Sequence, residues 1–165
     1  MATYVLVKND PRNTALTDLE GNTIYKISTR VSFPNETTTI TRAGESELVA
    51  IIYWNATGKN TITMNDITRN ITDVFPKSSK ASISRLVTTG DGEAFKWKYT
   101  TKLYCMSETT GLNVATYYHV LFADHRNKKS TIDIAPSAVR YSDLLVVSWM
   151  IMAKEGLDGY PGLGS

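Results

Sequence analysis

The sequence predicts a mainly β chain (β+α): an antiparallel barrel of about ten to twelve strands closed around one hydrophobic C-terminal helix. Three observations carry this. Leu144-Leu145-Val146-Val147-Ser148-Trp149-Met150-Ile151-Met152-Ala153 is apolar at every position but Ser148. A helix apolar on all sides belongs inside a core or a bilayer, and this run falls far short of the roughly 20 residues a bilayer requires. Ahead of it lie short strand-like segments at regular spacing, separated by turn formers. No strand–helix alternation occurs, which excludes a doubly wound parallel sheet.

The elements follow in order. Tyr4-Val5-Leu6-Val7 is rich in strand formers and runs into the turn cluster Asn9-Asp10-Pro11-Arg12-Asn13. After Glu20-Gly21-Asn22, the segment Thr23-Ile24-Tyr25-Lys26-Ile27-Ser28 alternates polar with apolar, the mark of a half-buried strand. Pro34-Asn35 interrupts before the strand Thr37-Thr38-Thr39-Ile40-Thr41-Arg42. Leu48 to Trp54 is nearly continuously apolar and reads as a central strand, Asn60 to Met64 alternates, and Ile67 to Phe75 reads as a weaker strand closed by Pro76.

Lys77-Ser78-Ser79-Lys80 is a polar break too short to separate domains. Strands Ile83–Thr88 and Glu93–Lys98 flank Thr89-Gly90-Asp91-Gly92, whose residues tolerate the positive φ of a tight hairpin. A second hairpin joins Lys102–Met106 to Asn113–Val120 around Glu108-Thr109-Thr110-Gly111. The basic loop Asp124–Lys129 precedes the last strand, Thr131–Ile134. Pro136-Ser137 or Tyr141-Ser142 opens the helix, expected over about 138–155, with Asp143 and Lys154 matching its dipole and Gly156 as its stop. One domain over 1–156 and a flexible Gly-rich tail over 157–165 complete the expected layout.

Asn9 to Thr14, Gly21-Asn22 with Ile24-Tyr25-Lys26-Ile27, the Thr37–Arg42 strand, Gly92-Glu93-Ala94-Phe95-Lys96-Trp97-Lys98 and Asp143–Ser148 together resemble a family of small proteins of unassigned activity from mushroom-forming fungi. The likeness covers about residues 3 to 155. The layout is also similar to the tubby C-terminal, LURP-one-related and phospholipid-scramblase-like group, barrels of about twelve strands threaded by a hydrophobic C-terminal helix. That tubby-like resemblance implies a fold and, for tubby domains, phosphoinositide headgroups held by basic side chains. Function does not transfer with a fold, and no headgroup-binding Lys/Arg motif aligns here residue by residue.

Composition narrows the chemistry. A formal charge of +2 on 165 residues does not argue for nucleic acid, and no nucleic-acid partner is expected. One cysteine excludes an internal disulfide and a multi-cysteine metal site; no metal and no cofactor is expected. No signal peptide or transmembrane segment is seen, so the expected location is cytoplasmic, with peripheral membrane attachment in view. The sequons at Asn35, Asn55 and Asn70 then read as chance matches in an Asn- and Thr-rich chain.

The basic residues are the most usable signal. Lys77, Lys80 and Arg85 form one group, Lys96, Lys98 and Lys102 another, and Arg126, Lys128 and Lys129 a third. Merged on adjacent strands, the first two would suit an anionic phospholipid headgroup or another small anionic ligand. Against this stands an ordinary solvated barrel exterior with lysines guarding its edges.

An alternative is a small barrel enzyme of fungal secondary metabolism. Cys105 and His119 on facing strands, beside Tyr104 and Tyr117, would line its pocket; Cys105 as a plain buried hydrophobe is the competing reading. Asp66 and Asp73 read as solvated loop residues, and Gly90-Asp91-Gly92 lacks the spacing of a phosphate loop. The tyrosines and Trp54 would equally serve a protein- or sugar-binding barrel without chemistry. Sequence leaves the ligand and the oligomeric state open.

Overall fold

A computed structural model describes residues 1–42 and 46–159. Seven strands come first: β1 (Ala2–Leu6), β2 (Thr14–Thr17), β3 (Thr23–Ser32), β4 (Asn35–Arg42), β5 (Glu47–Trp54), β6 (Thr61–Met64) and β7 (Ile67–Asn70). One helical turn, α1 (Ile71–Val74), leads towards β8 (Arg85–Thr88), β9 (Ala94–Tyr99), β10 (Leu103–Ser107) and β11 (Asn113–Tyr118). The short α2 (Ala123–Arg126) precedes β12 (Thr131–Ile134). A 3-10 helix, Pro136–Tyr141, then opens α3 (Ser142–Gly159).

All strands form one antiparallel sheet in the order β7-β6-β5-β4-β3-β2-β1-β12-β11-β10-β9-β8. The β1–β12 pairing, Ala2 opposite Ile134 through Val5 opposite Thr131, joins two meandering halves. The sheet curls without closing: β7 and β8 remain its two edges. The segment after α1 covers part of the β8 edge, where Leu86 N–H donates to the Pro76 carbonyl at 2.8 Å and Ser78 N–H to the Ser84 carbonyl at 3.0 Å.

Side chains from both halves converge on α3, so the sheet wraps it. Trp97 Nε1 on β9 donates to Ser148 Oγ at 2.8 Å, Tyr25 on β3 donates to Asp143 at 2.5 Å, and Arg85 on β8 reaches Glu155. Leu145 through Ala153 are buried. Their partners are the inward rows of the strands, Leu6, Leu16, Ile27, Ile40 and Ile52 on one side and Val87, Phe95, Trp97, Ile132 and Ile134 on the other. Full burial of one such side chain contributes about 1.5–3 kcal/mol. Ser148 is tolerated because its hydroxyl donates back to the Leu144 carbonyl at 2.8 Å while accepting from Trp97.

Several local features depart from the sequence expectations. β2 was not anticipated: four residues with a single large apolar side chain give no periodicity to detect. β7 ends at Asn70 because Ile71 N–H turns to the Asn60 carbonyl and starts α1. The helix passes Gly156 and continues to Gly159, while Tyr160–Ser165 of the expected tail lie outside the described residues. Lys154 is not a solvated dipole partner. It is buried, with Nζ 4.3 Å from the Trp54 ring centroid and 3.7 Å from Glu36. Both expected hairpins form, with Gly92 at φ +89° and Gly111 at φ +71°, conformations that only glycine adopts without strain. No described helix is long and apolar enough to cross a membrane.

Candidate functional site

In an up-and-down sheet, alternate connections lie at opposite ends. The β1–β2, β3–β4, β5–β6, β9–β10 and β11–β12 connections, with the 71–84 crossover, gather at the end where α3 finishes. The remaining connections gather where α3 begins. The charges divide with them. The first end carries Lys8 and Arg12 (β1–β2), Lys59 (β5–β6), Lys77 and Lys80 (crossover), Lys102 (β9–β10), and Arg126, Lys128 and Lys129 (β11–β12). Its connections hold only Asp10, Asp73 and Asp124 as acids. At the opposite end the described connections hold Asp18, Glu20, Asp66, Asp91, Glu93 and Glu108 against a single Arg140.

The basic end carries more cations than its three acids can pair. Asp10 pairs with Arg12 at 3.2 Å. Among the described residues, Lys8, Lys59, Lys77, Lys80, Arg126 and Lys128 are exposed and form no ion pair. The same end presents both exposed phenylalanines, Phe33 at the β3–β4 tip (92% exposed) and Phe122 (73%), whereas Phe75 and Phe95 are buried. Phe122 sits at φ +54°, ψ +45°, a left-handed conformation rare for a bulky residue and found where the surroundings over-determine it.

Beneath the connections lies a cavity of about 300 Å³. One wall is an inward cross-strand row: Leu103 pairs with Tyr99 on β9 and with Tyr117 on β11. Ala153 and Leu157 of α3 also line it, and Pro11, Thr101, Lys102, Tyr118, His119 and Leu121 complete the lining. The Tyr99 hydroxyl donates to the Met152 carbonyl, which fixes that ring as wall. The Tyr117 hydroxyl and His119 Nδ1 are 3.1 Å apart, and burial pushes the Tyr117 phenol up, so it stays protonated. Lys102 Nζ stands 4.6 Å over the Tyr118 ring.

The sequence-predicted residues separate into distinct places. Lys102, His119 and Tyr117 line the cavity; Lys77 and Lys80 lie in the crossover at the same end. Lys96 and Lys98 are half-buried and alternate with inward Phe95 and Trp97, which puts them on the outer wall, with Tyr104 directly opposite Lys98. Arg85 departs from the expected surface group. It points inward, 5% exposed, with Nε and Nη2 donating to the two Glu155 carboxylate oxygens at 2.8 and 2.7 Å and Nη1 to the Phe75 carbonyl at 2.7 Å.

Cys105 and His119 are not brought together. Cys105 pairs across to Ala115, four residues before His119 and about 13 Å away along an extended strand. The buried thiol is pushed up by desolvation, so no thiolate is available as a nucleophile. No group of three or more metal-binding side chains occurs among the described residues. The residues that sequence reading missed are Phe33, Phe122, Lys8 and Lys59. The signal that finds them is the charge summed over alternate connections, not the local spacing of lysines.

No curated protein matches the sequence. Among solved structures, the X-ray structure of a protein from Arabidopsis thaliana is similar in fold, with a TM-score of 0.54 at 10% identity, covering 96% of this chain and 91% of that one. At that identity the likeness speaks for the fold alone. The family described as "Family of unknown function (DUF6593)" matches residues 9–156, and the chain belongs to it.

Proposed function

We propose that the protein is a peripheral binding module whose basic end rests on an anionic phospholipid surface. The observation that carries this reading is the segregation of charge between the two ends of the curled sheet, with both exposed phenylalanines at the positive end. Each Lys or Arg held near an anionic leaflet contributes about 1 kcal/mol. An aromatic ring entering the headgroup region adds apolar burial, and aromatic side chains favour that interface. The acidic opposite end orients the molecule, because a leaflet that attracts one end repels the other.

In this reading Lys77, Lys80 and Lys102 contact headgroups directly, while Lys96 and Lys98 flank them on the outer wall. Arg85 takes no part, being held by Glu155. The cytoplasmic leaflet is the anionic one, in keeping with the cytoplasmic location expected from sequence.

Flotation with phosphatidylcholine vesicles, with and without phosphatidylserine, tests the proposal. Recovery with the anionic vesicles alone, falling as salt is raised, is the expected result. Equal recovery from both vesicle types, or binding indifferent to salt, would remove it.

A further inference from the structure

We infer that the cavity at the basic end is a binding site for a small amphipathic monoanion, a carboxylate with an aromatic or short aliphatic body. This goes beyond membrane attachment: it concerns a ligand taken from solution, and it shares only Lys102 with that reading. At about 300 Å³ the cavity lies at the lower bound of small-molecule sites. Its interior is the Tyr99–Leu103–Tyr117 row against Ala153 and Leu157, an apolar and aromatic surface that a ring or short chain would cover.

Among the described lining residues Lys102 is the only Lys or Arg, and no Asp or Glu is among them. The Asp10 carboxylate bears on Tyr117 from outside the lining and is itself paired with Arg12 at 3.2 Å. Among the described residues Lys102 forms no ion pair; its ammonium stands over the Tyr118 ring at the solvent side. A cation held at the mouth of an apolar cavity without a counter-ion is the arrangement that receives an anion. The charge-assisted bond forms near water, where desolvation is cheap, and the apolar body goes inward. Tyr117 and His119 line the same cavity, their hydroxyl and Nδ1 3.1 Å apart, and give its wall a polar stretch. The three tyrosines would otherwise suggest an aromatic cage for an ammonium ion. Lys102 already stands over Tyr118 and would repel a second cation.

The test is titration calorimetry in lipid-free buffer with phenylacetate and hexanoate, and with hexylamine and hexanol as matched probes. The carboxylates are expected to bind at one site and the amine not at all. Lys102→Ala should weaken the carboxylates about tenfold, the loss of one charge-assisted bond, while Lys102→Arg keeps most of the affinity. Arg69→Ala, exposed on the β7 edge and outside the lining, should leave it unchanged. Ala153→Met, which fills the cavity without altering charge, should abolish binding. No binding of either carboxylate, an amine that binds as well as its matched acid, or unchanged affinity in Lys102→Ala would overturn the inference. Because no lipid is present, vesicle flotation can succeed or fail separately.

Discussion

Arg85 and Glu155 are the most consequential pair in the fold, because they tie the open sheet edge to the last turns of the core helix. Replace Glu155 with Leu, and the guanidinium loses both carboxylate oxygens, at 2.8 and 2.7 Å, around a side chain that is 6% exposed. Breaking one side of a buried pair costs about 3–5 kcal/mol. The Glu155 side chain is 20% exposed, so water can reach the vacated place, and the lower figure of about 3 kcal/mol applies. For a domain of this size each kcal/mol shifts the melting midpoint by about 2–4 °C, which gives a fall of about 6–12 °C.

The double change Arg85→Met with Glu155→Leu should recover most of that, since two apolar groups of similar volume replace two desolvated charges. It should not recover all, because the Phe75 carbonyl loses the Nη1 donor at 2.7 Å, a cost of about 1–3 kcal/mol. Thermal unfolding followed by circular dichroism measures the parent and the two variants. If Glu155→Leu melts within 2 °C of the parent (roughly one kcal/mol or less), or if the double variant is no better than the single one, the pair does not hold the edge as described.

Three further outcomes follow from the same geometry. Phe33→Ser with Phe122→Ser should cut recovery on phosphatidylserine vesicles while leaving the melting midpoint nearly unchanged, because exposed positions contribute within about 0.5 kcal/mol to stability; a large loss of stability would show that the rings are part of the fold instead. Cys105 should resist an aromatic disulfide reagent at pH 8 in the folded protein and react promptly in urea, since burial raises its thiol pKa; prompt native labelling contradicts this. Hydrogen bonds from Thr89 and Tyr141 hold the Asp91 carboxyl below its ordinary 3.8, so its contribution is present above that value and is lost as pH falls through the lower folded one. Asp91→Asn should therefore flatten the acid limb of a stability-against-pH curve, and an unaltered limb would exclude that role.

Much of the architecture was legible because its signals are local. The apolar run 144–153 announces an enclosed helix by composition, and Gly92 and Gly111 announce hairpins by the φ their turns require. What stayed hidden depends on where the chain returns. Arg85 looks like its neighbours Lys77 and Lys80 along the sequence, yet two-residue strand periodicity turns it inward with Val87, and its acid lies 70 residues away. Lys154 was misread for the same reason: its partners Glu36 and Trp54 come from the other half of the sheet.

The candidate site was hidden differently. No single loop is strikingly basic except 124–129, and the overall charge of +2 conceals two opposed ends. Only the strand order shows which loops add together. The cavity depends on three inward side chains meeting across β9, β10 and β11, a matter of register that spacing alone does not disclose. His119 and Tyr117 line the cavity, whereas Cys105 pairs with Ala115, deeper along the strand.

Because α3 fills the interior and follows every strand in the chain, no shorter N-terminal piece is a smaller version of this fold. Leu6 of β1 belongs to the same buried core as Leu145, which is synthesised 139 positions later. At ribosomal speeds of about 5–20 residues per second that interval is roughly 7–28 s. Through it, a growing curtain of strands carries an oily lining with nothing to line. Whatever shelters the nascent chain in the cell must act on the sheet, early, and release it only once the plug has arrived.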